Sequence, residues 1–235
     1  MALLDDAIEA SGGLARWNRL QRFTLHLSIK GTLFSRVGRA RQFNDLIAEG
    51  STRTQSVSFS GLTRGEKIGA YQPDSVTIEN QDGKVLRTWL NPSLDFLNHR
   101  HDPLADDLHL VFFCGFSIWN YLTTPFLLAH PDVTVEELSP WKEKDQTWRR
   151  LRAVFPPDIV TFSPEQIFYF DENSLQRRAD TDLLGTRVAH YSGAHQAFDD
   201  IVVPTLRRSL ALRPDGTAIV KPILLDVEVF DATFE

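Results

Sequence analysis

The feature that most constrains this chain is an uncharged stretch from Leu108 to Ala129, LHLVFFCGFSIWNYLTTPFLLA. A helix rises about 1.5 Å per residue, so a helix of this length could cross a bilayer. Pro125 would interrupt such a helix, and acidic residues flank the stretch where a membrane span usually has basic anchors. We therefore expect no membrane span but a buried helix, or two helices broken at Thr124-Pro125, within a helical insert of about residues 103–130.

Polar side chains recur along this stretch at the spacing of one helix face. Steps of three or four residues connect the stripe His109, Phe113, Ser117, Asn120 and Thr124, in which Phe113 is the one apolar member. Small-molecule pockets combine apolar and aromatic walls with a few polar groups. The candidate ligand-binding residues are His109, Phe113, Phe116, Ser117, Trp119, Asn120, Tyr121 and Thr124. The alternative is that these aromatic side chains only fill the core, where large apolar residues are usually found.

Composition limits the kind of protein that surrounds this stretch. With 42% hydrophobic and 24% charged residues among 235, the chain is globular and can bury a sizeable core. A net charge of −6 disfavours nucleic-acid binding, which needs a basic face to displace phosphate counterions. Cys114 is the only cysteine, which excludes an internal disulfide. The N-terminal segment lacks the pattern of a secretory signal, so cytoplasmic residence is expected.

Outside the insert, apolar and polar residues alternate as they do in half-buried strands. A short apolar helix ending at Gly12-Gly13 precedes a regular strand at Phe23–Ile29, and Asp82-Gly83 is a strong hairpin signal. Later strands are predicted at Thr186–Phe198 and Thr217–Phe230, with short turns that favour an antiparallel meander.

The predicted fold class is α+β, mainly antiparallel β. A strongly curved antiparallel sheet has a concave apolar face, and the Leu108–Ala129 stretch is the segment large and apolar enough to cover it. We therefore expect a single domain over residues 1–235, built as an open or half barrel with an N-terminal helix and a mid-chain helical plug.

Two parts of the chain resemble a known family. They are the opening AIEASGGLARW before FTLHLSIKG, and the closing FYFDENSLQRRADTDLLG with AHYSGAHQAFDDIVVPTLRRSL. These resemble the lipoprotein-carrier superfamily of Lol carriers and related mycobacterial lipoproteins. The resemblance implies an unclosed antiparallel barrel with a helical lid over a lipid-binding cavity. Those carriers are exported, so the carrier role itself is not transferred to this chain. More narrowly, FCGFSIWNYLTTPFLL and VVPTLRR resemble a group of uncharacterised bacterial proteins, which implies no function.

Two functions remain open from the sequence. The first is binding of a lipophilic small molecule in the barrel cavity, without catalysis or a cofactor. The second is a metal-dependent or cyclase-like enzyme on the same scaffold, using the region of His99 and His101, or His190. His99 and His101 share a face of an extended segment, and Asp102 could add an oxygen ligand or instead cap a helix before Pro103. The sequence shows no third residue at a spacing that would complete a metal site with these side chains. It also does not indicate an oligomeric state.

Charged and imidazole side chains in the closing meander give further candidates. Adjacent residues on a strand point to opposite faces, so only one member of each of the pairs Arg177-Arg178 and Arg207-Arg208 could face inward and attract an anionic head group. The simpler interpretation is an exposed strand face. His190 and His195 lie on opposite faces of one predicted strand unless Gly193 supports a bulge. With Tyr191 they could line a polar patch of the cavity, but ordinary surface positions are the expectation.

Overall fold

One antiparallel sheet of thirteen strands organises the computed structural model, which describes residues 2–39, 43–63, 65, 67–94, 103–183 and 185–235. The strands are β1 (Arg22–Lys30), β2 (Leu46–Ser51), β3 (Val57–Ser60), β4 (Ile68–Gln72), β5 (Ser75–Glu79), β6 (Val85–Leu90), β7 (Thr134–Glu143), β8 (Gln146–Val154), β9 (Glu165–Phe170), β10 (Gln176–Leu183), β11 (Thr186–Phe198), β12 (Ile201–Ala211) and β13 (Leu225–Phe234). The helices are α1 (Ala2–Ala10), α2 (Leu14–Trp17), α3 (Thr32–Ser35) and α4 (Asp107–Thr123), with 3₁₀ turns at Pro103–Ala105 and Phe126–Ala129.

The sheet consists of two meanders joined along the first and last strands. Its order is β6-β5-β4-β3-β2-β1-β13-β12-β11-β10-β9-β8-β7, so within the described residues β6 and β7 are the two edges and the sheet does not close. The join runs from Phe23 opposite Phe234 to Lys30 opposite Asp226. This architecture confirms the predicted fold class, a curved open barrel of antiparallel strands with an N-terminal helix and a helical plug.

The alternation read from the sequence explains the first elements. The buried side chains of β1 include Phe23, Leu25 and Leu27, which face the core as predicted. At the end of α1, Gly12 adopts a φ of 117°, and a Cβ there would overlap the carbonyl oxygen of Asp200. Glycine is therefore needed at this position both for its backbone conformation and for the close approach to the β11–β12 turn.

Helix α4 lies against strands β3 to β6 and has almost every side chain buried. Two glycines permit this close packing. A Cβ on Gly69 of β4 would overlap Val111 of the helix, and a Cβ on Gly115 of the helix would overlap Tyr71 of β4. Helix and strand thus interlock, because Val111 of α4 packs on Gly69 of β4 and Tyr71 of β4 packs on Gly115 of α4. The buried helix followed by a turn after Pro125 confirms the predicted helical insert, and no helix in the described part of the chain is both long and apolar enough to span a membrane.

Several boundaries differ from the sequence predictions for identifiable reasons. Strand β7 was not predicted, because it is an edge strand with mostly exposed or half-exposed side chains and an irregularity between Leu138 and Trp141. The strand predicted at Thr217–Phe230 begins only at Leu225, since the preceding residues form a long loop after β12. The N-cap of α4 is Asp106, whose carboxylate accepts a hydrogen bond from the Leu108 amide, whereas the predicted cap Asp102 lies outside the described residues.

Candidate functional site

An aromatic cluster fills the barrel interior beside the second half of α4. Its central member is Phe162, which belongs to the connection between β8 and β9 that we call the 155–164 segment. The Phe162 ring centroid lies 5.0 Å from that of Phe116 and 6.1 Å from that of Phe113, both on α4. It also stacks on the imidazole of His190 at 4.9 Å, with an interplanar angle of 28°. Phe162 therefore occupies the space between the helix and the inner face of the sheet.

Side-chain amides hold the 155–164 segment in place. Gln55, in the loop between β2 and β3, donates from Nε2 to the carbonyl oxygen of Val160 at 2.8 Å and accepts at Oε1 from the Val160 amide at 2.8 Å. Asn120 of α4 donates from Nδ2 to the same carbonyl at 2.8 Å. The segment is thus attached to the opposite meander and to the helix at a single residue, directly above the site filled by Phe162.

A small polar cavity remains beneath Phe162, and a larger groove lies outside the segment. The cavity has a volume of about 20 Å³ and is lined in part by Asn120, Tyr121 and Arg207. That volume accommodates about one water molecule. The open groove has a volume of about 480 Å³ and includes Trp119 of α4 and Ile159 of the segment. The 155–164 segment therefore separates a filled interior from a surface groove of small-molecule size.

His190 is the best-satisfied polar group at the cavity. Its Nδ1 atom lies 2.9 Å from the Tyr121 hydroxyl and 2.7 Å from the Ser209 hydroxyl, and its Nε2 atom lies 3.0 Å from the Thr181 hydroxyl. Burial, together with the nearby Arg207 cation, lowers the pKa of the imidazole to about 3. The expectation of a surface position is therefore wrong, because His190 is buried and is a neutral hydrogen-bonding partner at physiological pH. A group so weakly basic is poorly suited to general-base catalysis near neutral pH.

Arg207 is the charged group of the cavity. It lies on the inner face of β12, donates from Nη2 to the backbone oxygen of Tyr121 at 2.6 Å, and places its guanidinium carbon 4.6 Å from the centroid of the Tyr121 ring. Its side chain is buried, yet no carboxylate in the described part of the chain forms an ion pair with it. Burial lowers the pKa of Arg207 to about 10, which still leaves it cationic at neutral pH.

Arg178, on β10 of the same sheet, is a buried arginine whose positive charge is balanced by neighbouring carboxylates. Its guanidinium pairs with the Asp180 carboxylate at 2.5 and 2.8 Å and with Glu143 at 2.9 Å, and it donates to the carbonyl oxygen of Gly216 at 2.8 Å. It lies on the opposite face of the sheet from the cavity, because its neighbour Ala179 lines the cavity. One arginine of each predicted pair is thus buried, contrary to the exposed-face interpretation, but only Arg207 points into the interior.

The predicted ligand-binding residues lie in three environments, which are the cavity, the outer groove and the packed interior around the rest of α4. Asn120, Tyr121 and Thr124 line the cavity, and Trp119 lines the outer groove, where its Nε1 atom donates to the Ser51 carbonyl at 2.8 Å. These four remain candidates for ligand contact, in two spaces that the 155–164 segment now separates.

The other predicted residues of α4 have local partners. His109 packs edge-on against Trp89 with ring centroids 4.9 Å apart, at the far end of the helix. Ser117 donates its hydroxyl to the Phe113 carbonyl at 2.5 Å. Phe113 and Phe116 belong to the aromatic cluster around Phe162. The residues grouped by helical periodicity do not converge on a single site.

The predicted metal candidates His99, His101 and Asp102 lie outside the described residues. Within the described ranges, His, Cys, Asp and Glu side chains do not form a group of three or more that could hold a metal ion. The functional residues that sequence reasoning missed are Gln55 and Phe162. Both lie in connections without hydrophobic periodicity, and only the run of prolines around Phe162 distinguishes its segment in the sequence.

Acid should destabilise the wild-type protein more than a His190→Gln variant. The folded-state pKa of His190 lies near 3 and the unfolded value near 6.5, so the unfolded chain binds the proton first as pH falls. The stabilising effect of the neutral imidazole is complete above pH ~6.5 and is lost as pH falls towards 3, with roughly 2 kcal/mol lost by pH ~5. Urea unfolding at neutral pH and near pH 5 measures the difference. Parallel losses of stability in both proteins would refute a neutral, buried His190.

Comparison with solved structures identifies the fold. A LolA superfamily protein from Nitrosomonas europaea is similar with a TM-score of 0.56 and 10% sequence identity, over 100% of this chain and 92% of that chain. A DUF1329 family protein from Desulfovibrio piger aligns with a TM-score of 0.45 and 11% identity, over 100% of this chain and 92% of its own. No protein-family model and no curated protein matches the sequence. The chain therefore has the lipoprotein-carrier-like fold that the resemblance implied, and at 10% identity the likeness shows the fold alone.

Proposed function

We propose that this protein binds a lipophilic small molecule in the barrel interior, between α4 and strands β8 to β12, after outward displacement of the 155–164 segment. The observation that carries the proposal is the position of Phe162, an aromatic side chain from a connecting segment that fills a space bordered by polar groups of the sheet. The 155–164 segment contributes Phe155 and Phe162 to the cavity wall and Asp158 and Ile159 to the wall of the outer groove of about 480 Å³, so its displacement would open the cavity towards the groove. The joined space falls within the size range of small-molecule sites.

The chemistry of the walls supports a lipophilic ligand. Phe155 and Phe168 line the cavity beside Phe162, while Trp119 and Phe126 line the groove outside. An apolar ligand would replace the contacts that Phe162 now makes and would gain roughly 25 cal/mol for each Å² of apolar surface removed from water. The lipoprotein-carrier-like fold supports the same proposal, because the resemblance implies a lipid-binding cavity beneath a lid.

Calorimetric titration with laurate and with its methyl ester tests the proposal, since both carry the same aliphatic chain. We expect saturable binding of at least one of them at one site per chain. Native mass spectrometry of the same mixtures gives the stoichiometry directly. The absence of binding of both compounds would contradict the proposed function.

Removal of the Gln55 side chain should accelerate ligand binding. Gln55→Ala eliminates the two hydrogen bonds to Val160, each worth about 1 kcal/mol, so the displaced segment becomes more populated. We expect the association rate of laurate in stopped-flow fluorescence to rise by about tenfold. The matched control is Gln196→Ala, at an exposed glutamine on β11. Equal association rates for wild type and Gln55→Ala would show that the segment does not control access.

A further inference from the structure

We infer that the ligand carries an anionic head group, a carboxylate or a phosphate ester, and that Arg207 binds it at the inner end of the site. This inference rests on the proposed function, because it assigns the polar end of the same ligand. It depends on three observations: the charge balance of the cavity, the position of Arg207 relative to the aromatic walls, and a second donor that displacement of the segment would release.

The charge balance of the cavity leaves Arg207 without a counter-ion in the described part of the chain. The titratable groups next to Arg207 are Tyr121 and His190. The Tyr121 hydroxyl and the Nδ1 atom of His190 form a hydrogen bond of 2.9 Å with each other. Burial raises the pKa of Tyr121 and lowers that of His190, so both are neutral at physiological pH. A buried cation beside neutral groups is costly, whereas a bound anion would neutralise it. Arg178, fully paired on the other face, shows that this sheet can provide carboxylates where an arginine is purely structural.

The position of Arg207 suits the recognition of a head group. The guanidinium lies over the Tyr121 ring and lines the cavity together with Phe155 and Phe168. A ligand that occupied the place of Phe162 would therefore lie with its apolar chain along the aromatic walls and one end at the guanidinium. Arginine presents a planar fork of N–H donors that matches the two oxygens of a carboxylate or phosphate.

Displacement of the segment would supply a second donor. The Nδ2 group of Asn120 now donates to the Val160 carbonyl, while its buried Oδ1 atom has no hydrogen-bond partner among the residues that the structure describes. Once Val160 moves away, the Asn120 amide is free to donate into the cavity beside Arg207. The same movement of the 155–164 segment would then open the barrel interior to the ligand and add the Asn120 amide to the donors that bind its head group.

The test compares head groups on one aliphatic chain. Laurate, dodecyl phosphate and methyl laurate are titrated into the wild-type protein, Arg207→Met and the control Arg208→Met. Arg208 is the adjacent arginine, about half exposed and paired with Asp226 at 3.1 Å on the other face. We expect wild type and Arg208→Met to bind laurate or dodecyl phosphate at least tenfold more tightly than methyl laurate. Arg207→Met should bind all three with similar affinity. The ratio between laurate and dodecyl phosphate identifies which anion is preferred.

Each outcome decides the inference. Equal affinities of the wild type for the anionic and esterified compounds would overturn the head-group assignment and leave the proposed function intact, whereas no binding of any compound would end both. A preference that survives in Arg207→Met would assign the anion to another group. Arg207→Lys provides the second variant in case Arg207→Met does not fold. It retains the charge without the fork, and we expect a reduced but measurable preference for the anion.

Discussion

Phe162→Ala should make the ligand-free protein less stable and at the same time make it bind laurate at least tenfold more tightly. Truncation of a buried phenylalanine leaves a cavity and typically costs about 3–5 kcal/mol. In the wild type, however, the proposed function requires the ligand to displace this ring from its contacts with Phe116, Tyr121 and His190. Because the variant has no ring to displace, that part of the binding cost disappears. Chemical denaturation and calorimetric titration of the same preparation measure the two effects.

The matched control for Phe162→Ala is Phe59→Ala. Phe59 is fully buried on β3 and is not among the residues that line the cavity or the groove. Its truncation should cost a similar amount of stability without raising the affinity for laurate. If both variants change the affinity equally, Phe162 is an ordinary core residue and does not compete with the ligand.

Gly69→Ala should destabilise the protein by about 3 kcal/mol, and the loss should be largely absent when Val111→Ala is present in the same chain. The new Cβ overlaps the Val111 side chain, so α4 would have to move away from β4. Val111→Ala alone should cost about 2 kcal/mol for the lost methyl groups and the cavity they leave. The double variant removes the overlap, and we expect a coupling energy of about 2 kcal/mol between the two positions.

Urea unfolding of the two single variants and the double variant measures this coupling. Ala70→Gly, at the next position of β4, is a control for the backbone effect of exchanging glycine and alanine on this strand. Strictly additive losses would contradict the interlocking of Gly69 with Val111. The helix positions Asn120 and Tyr121, so its close contact with β4 also fixes the geometry of the cavity.

The sequence predicted the elements whose burial is periodic. The alternation in β1, the Asp82-Gly83 hairpin between β5 and β6, and the bounds of β11 all agree with the structure. Helix α4 could be predicted as buried because apolar residues cover its surface outside one neutral polar stripe, and because its ends carry acidic and proline residues. Strand β7 could not, because an exposed edge strand has no alternation for the sequence to show.

The candidate site could be predicted only in part, because its other members come from connections. Helical spacing grouped Asn120 and Thr124, which line the cavity, with His109, which lies near β6, and Tyr121 was a candidate only as an aromatic residue of the same stretch. Strand alternation required that one of Arg207 and Arg208 face inward, yet it could not show which one. The lack of a counter-ion for Arg207 within the described residues, and the insertion of Phe162, both depend on contacts between residues far apart in the chain, which no local pattern records.

The proposed function places a lipophilic ligand in the barrel interior, at the position that Phe162 now occupies. The most direct measurement is a crystal structure of the complex with ω-bromododecanoate, in which the anomalous signal of bromine locates the far end of the chain. We expect the carboxylate at Arg207, Phe162 displaced with the 155–164 segment, and the bromine between α4 and the sheet or in the groove beside Trp119. A complex in which Phe162 keeps its position and the bromine lies on the outer surface of the sheet would contradict it.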